Sequence, residues 1–324
     1  MKISKSSVDS AGEKLRQNQN DGTALDILAA WRNKHVYALR TAFNLLKRHT
    51  DKVGNNAIYG QRLKRVSSIL HKLDRLPTMK LSQLQDIGGC RVIITNYEKL
   101  RSLYTGLKKS KSISPKHKDY ITYPKKDGYR GIHLIYTCNS KNIEYSGLKI
   151  EFQLRTKLQH AWATAVEIID SFEGEELKLG KGSQKWRRFF YLVADEFASF
   201  EQLPLHDNTI EDRLSEIKQL YEDLNVKDKF QSYPIVIERA NKKDANFLIL
   251  LLDTKQKQIS IRPFKKSGEA QDFYIAQEKM YINEPSHNIL MVKMDSITPI
   301  RKSYPNYFAD SKFFLEQLNT ILAK

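Results

Sequence analysis

Only two cysteines occur in the 324 residues, Cys90 and Cys138. They form no CxxC pair, so no metal signature of that kind is present. Both sit in apolar, strand-like runs, as free thiols buried in a reducing compartment do. Long hydrophobic runs are missing too. A membrane-spanning helix needs about 18 or more apolar residues, whereas the richest run, NFLILLLD (246–253), has strand length. The first residues, MKISKSSVDSAGEK, lack the apolar core of a secretory signal. The expectation is a cytoplasmic protein with no membrane partner.

Negative charge is also short. Thirty-seven Asp and Glu face fifty-four Lys and Arg, a net charge of +17. Such a field attracts polyanions and speeds their encounter, without choosing among nucleotides, RNA, DNA or an anionic surface. What is present in quantity is core-forming material. Hydrophobic residues make up 40% and aromatics 10%, which excludes wholesale disorder, and the length predicts two domains.

Residues 1–22 read as a flexible polar N-terminus. From Thr23, read as an N-cap, Leu28, Trp31, Ala38, Ala42 and Leu45 recur at helical spacing and predict a helix over 24–49. GNNAIYG (54–60) breaks it. A basic extended segment, QRLKR (61–65), then leads into a helix over 67–76 that Pro77 ends. LSQLQDIGGCRVIITN (81–96) predicts a helical turn, two glycines and a buried strand. A helix over 97–108, a lysine-rich loop over 108–118, strands at 131–138 and 147–154, and a helix over 156–170 follow. Residues 172–185 form a charged, glycine-bearing loop, and 184–202 and 208–224 read as helices. The texture changes near 225. Beyond it 233–240, 246–253, 258–264 and 288–294 read as strands and 311–323 as a closing helix. This order predicts a mixed α/β fold: a sheet flanked by helices over 23–225, and a smaller α/β domain over 226–324.

Four clusters carry chemistry. Arg62 and Lys64 share one strand face, and Ser68 and Lys72 lie one helical turn apart at a helix N-terminus that favours phosphate. A solvated basic helix start would look the same. Asp86 precedes a Gly-Gly turn feeding a strand that holds Arg91. That suits Mg²⁺ at a strand end or a structural Asp86–Arg91 pair. In KDYITYPKKDGYRGIHLIY (118–136), lysines and Arg130 surround three tyrosines, as in a phosphate- and base-holding loop or a solvated sheet edge. Glu151, Gln153 and Arg155 point to one strand face, toward either a ligand or solvent.

The words RLKRVSSILHK, DIGGCRVIIT, KDYITYPKKDGYRGIHLIY and EFQLRTKLQHAWA stand in one order and spacing. Over residues 55–170 they resemble the synthetase domain of the RelA/SpoT family. The resemblance implies a nucleotidyltransferase-like mixed sheet and an enzyme moving the β,γ-pyrophosphate of ATP to a ribose 3′-hydroxyl, usually of GDP or GTP. It implies Arg62 and Arg91 flanking the adenine, and Lys64, Ser68 and Lys72 holding the ATP phosphates. Asp86 and Glu151 would be the carboxylates of the Mg²⁺ site, and Glu151 a candidate base. Tyr129 would stack on the acceptor base, with Lys118, Lys125 and Arg130 on its phosphates and His133, Gln153 and Arg155 nearby.

Asp127 stands where many relatives have Asn, and Gly131 where they commonly have Ser, so the acceptor stays open. Some relatives modify the 3′-CCA end of tRNA, others adenosine nucleotides. A catalytically inactive RNA-binding protein is the rival class, against which the two carboxylates argue. His206-Asp207-Asn-Thr-Ile-Glu211-Asp212 echoes a hydrolase motif of long relatives. It has one residue too many and reads as an acid-rich helix start, so no hydrolase activity is expected. Residues 226–324 resemble no named domain. Regulation, partner sensing, oligomerisation and an antitoxin-like cap are all open, with Tyr304, Tyr307 and Phe308 expected in a core or interface.

Overall fold

The structure is a computed structural model that describes residues 3–54, 56–206, 212–231, 236–238, 245–282, 284, 286–293, 305 and 311–324. Its centre is a five-stranded mixed sheet of β1 (Ile58–Leu63), β2 (Gly88–Ile94), β3 (Lys118–Asp119), β4 (Ile132–Thr137) and β5 (Lys149–Thr156), in the order β1-β2-β5-β4-β3. Only β2 and β5 run parallel; the other pairs are antiparallel.

Side chains alternate across a strand, and that alternation makes the site. Ile150, Phe152 and Leu154 of β5, with Ile132, Leu134 and Tyr136 of β4, enter one core with α2 (Gly22–Thr50) and α4 (Tyr97–Lys108). The residues between them, His133, Ile135, Glu151 and Gln153, are left half-buried on the opposite face.

A helical layer follows β5. Thr156 starts α5 (Lys157–Glu173) with a capping box, its side chain taking the Gln159 N–H while Gln159 takes its own. With α6 (Gln184–Phe200), α7 (Arg213–Asp223) and α8 (Val226–Gln231), α5 encloses an aromatic core around Trp186, Phe189 and Phe190. A second sheet, β6 (Val236–Glu238), β7 (Phe247–Asp253), β8 (Gln258–Phe264) and β9 (His287–Lys293), has the order β6-β8-β7-β9. Leu248, Leu250 and Leu252 enter one apolar cluster, and Ile249 enters another with Ala270 and Tyr274 of α9 (Ser267–Met280). Cover on both faces is why 247–252 is apolar without a break.

Several sequence expectations are corrected. Residues expected to be flexible include a helix, α1 (Lys5–Gln17), capped by Ser4 and packed through Val8, Ala11 and Leu15. The cap of α2 is Asp21, whose side chain accepts the Ala24 N–H at 2.8 Å, not Thr23. Helices α8 and α9 fall where none was read. The closing helix, α10 (Lys312–Leu322), buries Phe314, Leu318 and Ile321 in the core of α5–α8. A cut near 225 therefore divides a shared core. Residues 207–211 of the hydrolase echo, and Tyr304, Tyr307 and Phe308, lie outside the described residues. Both cysteines are buried and free. Among the described residues no helix is long and apolar enough to cross a membrane.

Candidate active site

The half-buried face of β4 and β5 opens on a cleft of about 1070 Å³, walled by the β1–α3 junction, the turn before β2, the loop before β4 and the start of the α6 region. Here α3 is Val66–Arg75. Of the residues singled out from sequence, Arg62, Lys64, Lys72, Asp86, Lys118, Lys125, Tyr129, His133, Glu151, Gln153 and Arg155 all line it. Ser68 lines an adjoining cavity of about 580 Å³ that shares Arg62, Lys64 and Lys72.

At one end Asp86 accepts hydrogen bonds from Lys64 and Lys72, each at 2.9 Å on Oδ2. Burial alone would raise its pKa, but the two ammonium groups outweigh that and hold it below the usual range. Lys64 is pushed down from its ordinary value by burial, with Asp86 opposing. The other oxygen, Asp86 Oδ1, is buried with no protein partner. The Asp86–Arg91 pair weighed from sequence is not formed. Arg91 lies buried in β2, outside the cleft lining, and its Nε donates to Gln153 Oε1 at 3.4 Å. Arg62 alone of the two arginines lines the cleft. One N–H of the α3 N-terminus is already taken, because Val66 donates to Glu278 Oε1 at 3.1 Å.

At the other end the polar groups form one chain. Arg155 Nη2 donates to Tyr129 Oη at 3.0 Å, and Tyr129 Oη meets His133 Nε2 at 2.6 Å. His133 Nδ1 reaches Glu151 Oε1 at 3.1 Å, and Gln153 Nε2 donates to Glu151 Oε2 at 2.7 Å. Burial would lower the imidazole, but Tyr129 and Glu151 raise it to about 9. Burial would raise the Tyr129 phenol, but Arg155 and His133 bring it down to about 8. Burial would raise Glu151 as well, yet His133, Gln153 and Lys64 hold it at about 2. Lys64, bonded to Asp86, also acts on Glu151, as the weakest of these influences.

The Tyr129 ring sits under Lys125 Nζ at 4.7 Å and beside the Tyr120 ring at 5.8 Å. Two glycines make this possible. Gly128 has φ +93°, and a Cβ there would come within 2.9 Å of Ala194. Gly131 has φ +154°, and a Cβ there would stand 3.2 Å from Tyr129 Oη. Arg130 is the clearest departure from the sequence expectation. It does not face the cleft but donates to Asp195 Oδ1 at 3.1 Å and to the Ile121 carbonyl at 3.3 Å, both side chains almost fully buried. Asp195 also holds His206, whose Nε2 meets the Lys125 carbonyl at 3.0 Å. This cluster props the tyrosine loop from behind.

Sequence reasoning missed Glu167, Lys178 and Arg187, which line the cleft. Glu167 pairs with Lys178 at 2.8 Å; burial would raise it, and Lys178, Arg91 and Arg62 keep it ionised. Its signal was one acid in the apolar run AWATAVEII. Lys178 and Arg187 belong to or follow the loop read only as charged.

Among the described residues no three His, Cys, Asp or Glu side chains cluster as a metal site. Two carboxylates in a cleft still fit Mg²⁺, which takes few protein ligands and completes its shell with water and substrate phosphate. The orphaned Asp86 Oδ1 is a hard oxygen donor of that kind.

A sequence model described as a region found in RelA/SpoT proteins matches residues 61–169. The GTP pyrophosphokinase YwaC of Bacillus subtilis (strain 168) is 31% identical over 156 residues, 43% of this chain and 73% of that protein. GTP pyrophosphokinase YjbM of the same strain is 32% identical over 109 residues, 32% of this chain and 51% of that protein. Among solved structures, small alarmone synthetase 1 from Bacillus subtilis covers 61% of this chain and 99% of its own, at 20% identity and a TM-score of 0.47.

Proposed function

Since the chain belongs to the RelA/SpoT family of GTP pyrophosphokinases, we propose that it transfers the β,γ-pyrophosphate of ATP to the ribose 3′-hydroxyl of GDP or GTP. The observation that carries this reading is a single cleft with cations around Asp86 at one end and the Tyr129 platform at the other. Arg62, Lys64, Ser68 and Lys72 form the donor half. Lys118, Lys125, Tyr129 and Arg155 form the acceptor half, and the use of ATP and guanosine nucleotides fits a cytoplasmic protein.

Phosphoryl-type transfer of this kind depends on in-line placement and charge neutralisation rather than a covalent protein intermediate. Bound at Asp86 and Glu151, Mg²⁺ would offset charge on the phosphate oxygens. A carboxylate held at about 2 is a weak base near neutral pH. Glu151 therefore acts by orienting and staying charged, and His133, already protonated, by fixing Glu151 and Tyr129. Arg155 and Lys125 hold the ring of Tyr129 in place, and that ring is the platform for the acceptor base.

A second reading, transfer to a tRNA 3′ end, is favoured by Tyr123. It is 77% exposed on the same loop as Lys125 and Lys126, as a stacking contact outside the cleft would be. Incubation with Mg²⁺, γ-labelled ATP and either guanosine nucleotides or tRNA tests both. Label on GDP or GTP is the expected result, label on tRNA alone selects the second reading, and intact ATP with every acceptor refutes both.

A further inference from the structure

The β1–α3 junction carries Arg62, Lys64, Ser68 and Lys72, yet it has no local cap. Arg65, the residue before α3, makes no side-chain cap hydrogen bond, although a helix start leaves several N–H groups to satisfy. The missing acceptor arrives from 212 residues further along the chain, where Glu278 Oε1 on α9 accepts the Val66 N–H at 3.1 Å. A carboxylate at a helix N-terminus is also favoured by the helix dipole.

Glu278 is itself fixed. It forms a buried ion pair with Arg32 of α2, the two side chains being 3% and 6% exposed. Tyr274 Oη donates to Glu278 Oε1 at 2.9 Å and accepts from Arg32 Nη2 at 3.0 Å. The central core helix, the donor-side helix and the C-terminal segment thus meet at one carboxylate. The same segment reaches the cavity beside Ser68, which Leu252 of β7 and Asn288 of β9 line together with Arg62, Lys64 and Lys72. The family match covers residues 61–169, so Glu278, Leu252 and Asn288 lie beyond it.

We propose that Glu278 is a positioning residue for the donor half, and that the C-terminal segment is a built-in part of that half rather than an appended module. The proposal takes the word donor from the function proposed above. Glu278 sets where α3 begins, and through it the separation of Lys64 from Lys72, the two cations that meet on Asp86. The acceptor half has separate support, from Asp195 and His206, and is independent of Glu278.

Glu278→Ala and Glu278→Gln in the full chain test this by amide hydrogen exchange and by calorimetric binding of α,β-methylene-ATP and of GDP. Losing a hydrogen bond to a charged group predicts about tenfold faster exchange over residues 62–72 and about tenfold weaker binding of the ATP analogue in the alanine variant. Exchange over 118–133 and GDP affinity should stay at wild-type levels. Gln keeps an oxygen for the Val66 N–H and should fall between. A folded alanine variant with unchanged exchange over 62–72 would overturn the proposal, and so would losses spread evenly over both halves. If the alanine variant does not fold, the glutamine variant decides by the same criterion. A wild-type chain that ignores the ATP analogue would refute the donor assignment alone, while the exchange comparison still decides whether Glu278 fixes the junction.

Discussion

Replacing His133 with Gln should remove a defined slope from the pH dependence of stability. The imidazole is raised from 6.5 to about 9 by Tyr129 and Glu151 against the effect of burial. A raised folded-state value stabilises fully below 6.5 and is lost as pH climbs through about 9. Tyr129, lowered from 10.0 to about 8, acts oppositely, its contribution growing from about 8 upward. Between 6.5 and 8 the histidine supplies a falling slope that the variant lacks. There the native state keeps a proton that the unfolded chain gives up, so stability falls by about 1.4 kcal/mol per pH unit, or about 2 kcal/mol across the window. His35, which burial holds near 4, and His49, which burial lowers, contribute alike in both proteins and cancel in the comparison. Urea unfolding at pH 6.5, 7.2 and 8 of wild type and His133→Gln measures the difference. The wild-type midpoint should drop with pH and the variant's should not. Equal slopes in the two proteins would refute the coupling of His133 to Tyr129 and Glu151.

Asp86→Asn and Glu151→Gln should each lower pyrophosphate transfer by about 100-fold or more with circular dichroism unchanged, since each removes a charge the cleft is built around; an active double variant would refute the site. Tyr129→Ala should raise the acceptor KM by about 10- to 100-fold, the range of one base–aromatic stack, while ATP affinity holds; a selective loss of ATP affinity would exchange the two halves. Gly131→Ser should destabilise the protein by about 1–3 kcal/mol, because φ is +154° and the new Cβ meets Tyr129 Oη; an unchanged Tm would show that the loop adapts. Arg130→Ala should lower stability by about 1–3 kcal/mol, because buried Asp195 keeps His206 and, at 3.9 Å, Arg213; a variant with wild-type Tm and only a higher acceptor KM would return Arg130 to the phosphates.

The sequence by itself determined what depends on near neighbours. Helices α2 to α6 and strands β2, β4 and β5 follow from 3.6- and 2-residue periodicity, and the shared face of Glu151 and Gln153 from alternation alone, whereas the pattern predicts only the second half of β1 and β3 falls where a lysine-rich loop is expected. Eleven of the fourteen residues singled out share one cleft because strand faces and helix turns carry them there. The polar composition of 1–22 hides α1, whose stripe of Val8, Ala11 and Leu15 behind the Ser4 cap reads as a flexible terminus. Tertiary structure decided the partner of each charge. Arg130, before β4, and Arg155, in β5, both read as acceptor-side cations, yet one is held by Asp195 and the other by Tyr129. The donor helix takes its cap from Glu278, and α10 fills the core of α5–α8. Those choices rest on contacts between segments far apart in the chain. Burial makes each charge find a partner, and only the folded path settles which partner is within reach.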